Sequence, residues 1–394
     1  MAKSIIKNMH KYQLIFLGTL TTIVDDLVSI YKEKIDELKL QKEFYEILFK
    51  NSFDQYKGNQ PTFVIYFGNT NGKFEDLLEV EKMLKEGNIV LPVFFNSFRD
   101  EIPPILKNQN GIQFTELKKV KIIDLVLESF GKLRNTRKIF ISYKRDESTS
   151  VAIQLYEALE KNNFDVFLDT HSIKQGEPFQ EELWHRMTDS DVILLLNTEK
   201  FLTSEWCEQE IAEASVKQIG IIQVVWPNNK LERMAEVCFP IPLKPENFIN
   251  NIYDDKDLSK LNDQTIDELV NEVESVRARN LASRQDNLIT EFLNTARKYK
   301  KNVTIQPERF ITEELADNKR RIFIPSVGIP QSFDCNTSSE LKKEIKEYSV
   351  DEVYLIYDDV RIREKWIKHL SYLNEYLDVK TIKKQEFDLW LQKN

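Results

Sequence analysis

The chain has 394 residues, 41% of them hydrophobic and 30% charged, with a net charge of −9. That length allows two or three domains with sizeable cores, and the acidic balance argues against a nucleic-acid-binding surface and against anionic membranes. Three scattered cysteines (Cys207, Cys238, Cys335) give no disulfide framework, and four histidines (His10, His171, His185, His369) show no metal-ligand spacing, so a reducing, cytoplasmic setting without a structural metal is expected.

Lys3, Lys7 and Lys11 precede the apolar run Leu14–Val24. The run has no small-residue cleavage site and is followed by Asp25-Asp26, so it reads as a buried strand entering a helix rather than a signal segment. Gln13–Leu17 is that strand. Val28–Phe49 carries apolar residues at helical spacing and ends in the turn-rich stretch from Asn51 to Gln60. Thr62–Phe67 is a second strand, Leu77–Leu84 a helix and Ile89–Phe95 a third strand. This alternation implies a parallel sheet, and residues 1–130 form an N-terminal α/β domain.

Residues 135–250 give the clearest pattern. Lys138–Tyr143 is a strand, and Thr149–Glu160 is a helix with Ala152, Leu155, Tyr156 and Leu159 on one face, ended by Asn162-Asn163. Asp165–Leu168 is a strand and Phe179–Met187 a helix. Asp191–Leu196 is a near-continuous apolar run, the pattern of a strand buried on both faces. The run Ser204-Glu205-Trp206-Cys207-Glu208-Gln209-Glu210 then opens a helix: a hydroxyl side chain caps a backbone N–H, and carboxylates suit the positive end. Trp206 and Glu210, four residues apart, share one face of it. The strand Gly220–Trp226 completes a β-α-β-α-β-α-β unit. A flat apolar side chain and a carboxylate then stand together at the end of a sheet, where open α/β folds take their ligands.

In residues 255–394, Ile266, Leu269, Val273, Val276, Leu281, Leu288 and Phe292 recur at helical spacing across Gln264–Lys300, as one long helix or a helical hairpin. Arg277, Arg279, Arg284 and Arg297 read as its solvated face. Arg321–Pro325 and Glu352–Ile356 are strands and Val360–Leu373 is helical, a small α/β end domain. No run reaches the roughly 20 apolar residues needed to span a bilayer. Ten glycines supply no phosphate-cradling loop. The run Val64-Ile65-Tyr66-Phe67-Gly68-Asn69-Thr70 is similar to Val192-Ile193-Leu194-Leu195-Leu196-Asn197-Thr198. Two readings of that likeness stay open: a degenerate second copy lacking Trp-x-x-x-Glu, or the ordinary similarity of buried strands.

Three stretches of the middle block, in order, carry a family resemblance. They are Ile139-Phe140-Ile141-Ser142-Tyr143-Lys144-Arg145-Asp146, Phe167-Leu168-Asp169-Thr170-His171-Ser172-Ile173-Lys174-Gln175-Gly176, and the Ser-x-Trp-Cys-x-x-Glu run. Together they resemble the TIR (Toll/interleukin-1 receptor) domain, specifically its prokaryotic NAD-cleaving type. The family's third box usually holds a Phe-Trp pair; Cys238-Phe239-Pro240 is the nearest candidate and departs from it. The implied architecture is a central flavodoxin-like TIR domain with a parallel sheet, flanked by an N-terminal α/β domain, itself either TIR-like and degenerate or not, and a C-terminal helical and small α/β domain.

The resemblance implies cleavage of NAD⁺ between nicotinamide and ribose, with Glu210 as the catalytic carboxylate and NAD⁺ as a substrate rather than a cofactor. By the same resemblance Lys144 and Arg145 lie near the dinucleotide phosphates, Lys174 lines the nucleotide pocket, Phe140 and Tyr143 supply apolar walls, and Trp206 packs beneath the site. It also implies a homo-oligomer assembled through TIR domains, a defence-system protein partner, anti-phage immunity as the setting, and flanking domains that sense infection or control self-association. Cys207 reads as a small buried residue, with no histidine placed by sequence to activate it. The exit Ser142-Tyr143-Lys144 lacks the paired acids of a phospho-receiver. Competing functions are a non-enzymatic TIR adaptor and a flavodoxin-like hydrolase acting on nucleosides or nucleotides.

Overall fold

Tyr12–Gly18 is buried along its whole length and forms β1, a strand whose apolar run needs cover on both faces. The computed structural model describes residues 12–58, 60–134, 136–168, 179–201, 219–230, 239–306, 308–345 and 348–394. The chain forms two compact units, Met1–Asn135 and Thr136–Asn394.

In the first unit β1 is followed by α1 (Ile23–Glu37), β2 (Tyr45–Phe49), β3 (Thr62–Phe67), α2 (Leu77–Lys85), β4 (Ile89–Phe94), β5 (Ile112–Gln113) and α3 (Lys119–Ser129). The sheet order is β2-β1-β3-β4-β5, and every pairing is parallel. The helical spacing over Val28–Phe49 is corrected here. The helix stops at Glu37, Lys39 takes a left-handed φ of 51°, and Tyr45–Phe49 pairs with β1 as an edge strand. Tyr45 stacks on Tyr12 with ring centres 5.1 Å apart. Aromatic and branched residues suit that half-buried edge, and their spacing also matched a helix. After β4, the buried Glu101 carboxylate accepts the N–H groups of Phe95, Asn96 and Ser97 at 2.6, 2.7 and 2.9 Å. Burial pushes its pKa up, but those N–H groups win and hold it below the ordinary carboxylate value.

The second unit contains two sheets. In the first, β6 (Lys138–Ser142), β7 (Asp165–Leu168), β8 (Val192–Asn197), β9 (Gly220–Val225) and β10 (Phe239–Pro242) are all parallel, ordered β10-β9-β8-β6-β7. In chain order that is second, first, third, fourth, fifth, the flavodoxin-like arrangement, and the N-terminal sheet has it too. The order reverses between β6 and β8. Strand residues alternate between two cores, as the pleat dictates. Ile139, Ile141, Leu194, Leu196, Ile222 and Val224 face α4 (Arg145–Lys161). Phe140, Ile193, Leu195 and Ile221 face Met187 of α5 (Phe179–Asp189). This is an α/β fold with a flavodoxin-like parallel sheet, as the sequence leads one to expect.

The long helical stretch is one helix, α6 (Asp263–Lys298), of 36 residues. Its N-cap Asn262 accepts the Thr265 N–H at 2.8 Å. At 1.5 Å per residue it is about 54 Å long, and it serves two cores. Leu269, Val273 and Val276 pack on the β6–β10 sheet, while Leu288, Ile289, Phe292 and Ala296 pack on a second sheet. That sheet runs β11 (Val303–Ile305), β12 (Ile311–Glu314), β13 (Lys319–Ser326), β14 (Ser349–Tyr357), β15 (Val379–Lys383) in order. Its first two pairings are antiparallel and the last two parallel. Helices α7 (Ser332–Glu344) and α8 (Glu364–Tyr376) link the parallel strands, and α9 (Phe387–Lys393) ends the chain. The helical expectation over Val360–Leu373 thus begins at Glu364.

The arginines of α6 are not a uniformly solvated face. Arg277 is fully buried and its Nε donates to Asp191 at 3.0 Å; Asp191 is fully buried as well. Arg137 forms a second buried pair with Glu274. The helix lies against the start of β9 so closely that a Cβ on Gly220 would stand 2.3 Å from the Asn280 side chain. A helix enclosed this way must bury charge, and buried charge needs a partner. Arg279 stays on the partly exposed side, with its guanidinium over Phe239.

Arg277→Ala is expected to cost about 3–5 kcal/mol, the usual effect of stranding one member of a buried pair. Arg279→Ala, whose pair with Glu272 has side chains 39% and 36% exposed, is expected to cost less than about 1 kcal/mol. Denaturant titration of the full chain followed by tryptophan fluorescence measures both. Equal losses would contradict the role given to Arg277.

Candidate functional site

Open α/β sheets of this order take ligands at the carboxyl edge where the strand order reverses. Here that point lies between the exits of β6 and β8. Ser142 and Tyr143 leave β6 buried, at 1% and 5% exposure. Lys144 follows in an extended conformation (φ −93°, ψ 118°), and the chain turns directly into α4. The positive end of α4 therefore starts at the crevice, a setting that favours anions. Asp146 and Glu147 occupy its first turn.

Two side chains tie the exits together across the reversal. The Lys144 Nζ donates to the Lys200 carbonyl at 2.9 Å. The Glu147 carboxylate accepts the Lys200 N–H at 3.1 Å. Both polar groups of one peptide residue beyond β8 are thus held from α4 and the β6 exit.

Asn197, the last residue of β8, is fully buried. Its amide donates to the Lys230 carbonyl at 3.2 Å, and its side-chain oxygen accepts from Asn229 at 2.9 Å. Asn197 O accepts the Trp226 N–H at 3.0 Å. Trp226 in turn donates its indole N–H to Tyr253 O at 2.8 Å and meets Phe248 edge-on. This network fixes the loop after β9 against the end of β8. Nearby, Gln223 in β9 and Thr198 after β8 are buried. Among the described residues no hydrogen-bond partner reaches the Gln223 amide or the Thr198 hydroxyl.

The residues expected from sequence fall in different places. Phe140 is fully buried and stacks on Phe167, ring centres 5.4 Å apart. Tyr143 is packed in the core beneath α4. Lys144 is half-buried and engaged with Lys200, and Arg145 is exposed as the first residue of α4. Lys174, Trp206 and Glu210 lie outside the described residues, as do Asp169, Cys207 and Cys238. Sequence reasoning passed over Glu147, Asn197, Lys200 and Trp226. Asn197 left one signal, a polar amide ending an otherwise apolar strand. Glu147 and Lys200 left none, because their contact spans 53 positions.

An α/β sheet of flavodoxin-like order, with polar groups gathered at its reversal point, defines a class that includes many ligand-binding domains. Residues 139–260 match the family model for the TIR domain, so the chain carries a TIR domain over that stretch. No curated protein matches the chain. Among solved structures, tagatose-6-phosphate ketose/aldose isomerase from Escherichia coli aligns with 71% of this chain and 83% of its own. The identity is 12% and the TM-score 0.20, a likeness that carries no argument. No helix among the described residues is long and apolar enough to cross a membrane.

Asn197→Ala removes bonds from both sides of a buried amide and strands their partners. The expected loss is about 1–3 kcal/mol, seen as a lower denaturant midpoint at unchanged slope. An unaltered midpoint would remove Asn197 from the architecture of the edge.

Proposed function

We propose that this protein is an NAD⁺ glycohydrolase or ADP-ribosyl cyclase that cleaves the nicotinamide–ribose bond, with the TIR domain (135–250) as its catalytic part. The observation that carries the reading is the Trp206-x-x-x-Glu210 spacing after β8, in a stretch that matches the TIR model. The N-terminus of α4 at the β6–β8 reversal, with Lys144 and Arg145 beside it, supports it.

The chemistry asks little of the protein beyond charge placement. Nicotinamide leaves NAD⁺ as a neutral molecule, so no general acid is needed. The ribosyl transition state has oxocarbenium character, as in glycoside hydrolysis. A fixed carboxylate near the developing positive charge stabilises it, the more so where water is excluded. Glu210 is assigned that part, either as this stabiliser or as a holder of the ribose hydroxyls. Arg145, exposed beside the start of α4, would meet the pyrophosphate, and Lys144 would exchange the Lys200 carbonyl for it. Lys174 and Trp206 complete the assignment, lining the nucleotide and packing beneath it. Phe140 and Tyr143, both buried, act as the packed base of the site.

The proposed setting is a cytoplasmic anti-phage response in which TIR domains associate as a homo-oligomer, at the call of a defence partner, before NAD⁺ is cleaved at full rate. Residues 1–130 and 255–394 are then the sensing or assembly parts.

Incubating the chain with NAD⁺ and separating nicotinamide by chromatography tests this. Release is expected to rise faster than linearly with protein concentration, and Glu210→Gln is expected to reduce it by about 10²-fold or more. Equal release by both proteins would remove Glu210 from the mechanism. No release from assembled protein would favour the adaptor. Lys144→Met is expected to raise KM for NAD⁺ about ten-fold at little cost in kcat, the loss of one charge-assisted contact in ground and transition state alike.

A further inference from the structure

The last turns of α5 are gripped by loops from the C-terminal sheet. His185 is 2% exposed and stacks on Trp366, ring centres 5.5 Å apart and planes 17° from parallel. Its Nδ1 accepts the Arg363 N–H in a long contact of 3.4 Å. The Arg361 guanidinium lies 5.5 Å from the centre of the Trp184 ring. Asp189 accepts the Ile329 N–H at 2.9 Å. From α6, Arg284 donates to the carbonyls of Thr188 and Ser190, 2.8 Å each.

Ile329 belongs to the loop leaving β13, and Arg361 and Arg363 to the loop leaving β14. These are the carboxyl ends of neighbouring parallel strands, the edge at which α/β sheets bind small molecules. In this protein that edge holds α5. A cavity of about 70 Å3 remains there, lined by Thr188, Arg284, Ser326, Gly328, Asp358 and Lys384 among others. That is room for a few waters or one small ion. Lys384 is shared between Glu291 at 2.7 Å and Asp358 at 3.7 Å. Two cations, hydroxyl groups and a single carboxylate on the wall suit a phosphate group carried by a molecule with hydroxyls of its own.

We propose that this edge is an effector site for a small phosphate-bearing metabolite, and that its occupant and α5 compete for the same loops. The sign follows from size. A free phosphate fits the cavity as it stands. A phosphomonoester is larger than the cavity, and under this proposal the rest of it spreads the β13 and β14 loops, which are the loops that contact Asp189, His185 and Trp184. Binding therefore releases α5, and by linkage the α5 contact weakens binding to the same extent. That this release controls catalysis rests on the TIR domain being the NAD⁺-cleaving part; the competition itself does not.

Amide hydrogen exchange on the full chain tests the competition without reference to catalysis, using inorganic phosphate and adenosine monophosphate as probes. Adenosine monophosphate is expected to speed exchange of the 184–189 amides about five-fold or more, the lower end of ordinary allosteric couplings, while phosphate leaves it unchanged or slower. Lys384→Ala is expected to abolish the response to adenosine monophosphate. Trp366→Ala and the milder Arg361→Ala are expected to speed α5 exchange without any probe, with β13–β15 still protected as proof of folding. Neither probe changing exchange, or a full response in Lys384→Ala, would overturn the effector site. Unchanged α5 exchange in both latch variants would overturn the grip. If those variants exchange as expected yet no form of the protein releases nicotinamide, the catalytic reading fails and the competition stands.

Discussion

The Arg277–Asp191 pair is the constraint on which the second unit depends. Neither side chain has water to turn to, so each charge is affordable only while the other is in place. Asp191 precedes β8 and its backbone N–H donates to Lys138 O beside the start of β6. One buried carboxylate thereby registers α6 against the amino ends of the two strands that flank the crevice. Arg137–Glu274 repeats the device one helical turn earlier. Helix α6 cannot slide along the sheet by one turn without stranding two pairs of charges. Because α6 continues into the core of the C-terminal sheet, that sheet is set in place by the same pairs.

The opposite ends of the same strands make the candidate site. At 3.3 Å per residue, β8 carries position over about 20 Å from its buried anchor at Asp191 to Asn197. Salt bridges do the fixing at the amino edge and hydrogen bonds at the carboxyl edge, where Asn197, Asn229 and Trp226 interlock and Lys144 and Glu147 hold the Lys200 backbone. The division is physically sensible. A polar ligand at the carboxyl edge would meet amides and carbonyls whose bonds are easily exchanged, while the ion pairs that hold the scaffold stay out of its reach.

The sequence revealed most where burial was complete. β1, β3, β8 and β9 are buried at every position and β4, β6 and β7 at all but their ends, and each stands where its run predicted. The short edge strands were hidden. β2 shares its apolar spacing with a helix, β5 has two residues, and β10 has four, two of them Pro240 and Pro242, which lack the N–H of a strand ladder. The charges of α6 were misread for a different reason. Whether an arginine on a helix is solvated depends on what lies opposite, and Asp191 is 86 positions away. Separations of 56 and 53 positions likewise hid the Lys144 and Glu147 ties to Lys200. Of the candidate site, the first box was legible as sequence and the Trp206–Glu210 spacing lies outside the described residues, whereas the polar lattice at the β6–β8 reversal exists only once the strands are paired.

The two helices that flank the TIR sheet nearest the C-terminal domain differ in how they are held, and that difference bears on where control can enter. Helix α6 is fixed by buried charges that no small ligand can compensate. Helix α5 offers Met187 and Trp184 to the sheet core among its described residues. Lys138 of β6 pairs with Asp189, and Arg284 of α6 holds the Thr188 and Ser190 carbonyls; the contacts to Ile329, Arg361, Arg363 and Trp366 come from the C-terminal sheet and its connections. Stacking, a long N–H contact to a ring nitrogen and one backbone bond to Asp189 are contacts of ordinary strength. A molecule binding at the C-terminal edge with modest affinity can outweigh them, whereas it cannot outweigh Arg277–Asp191. If the proposed effector site is occupied, its effect would therefore reach the TIR sheet through α5, with α6 as the fixed frame.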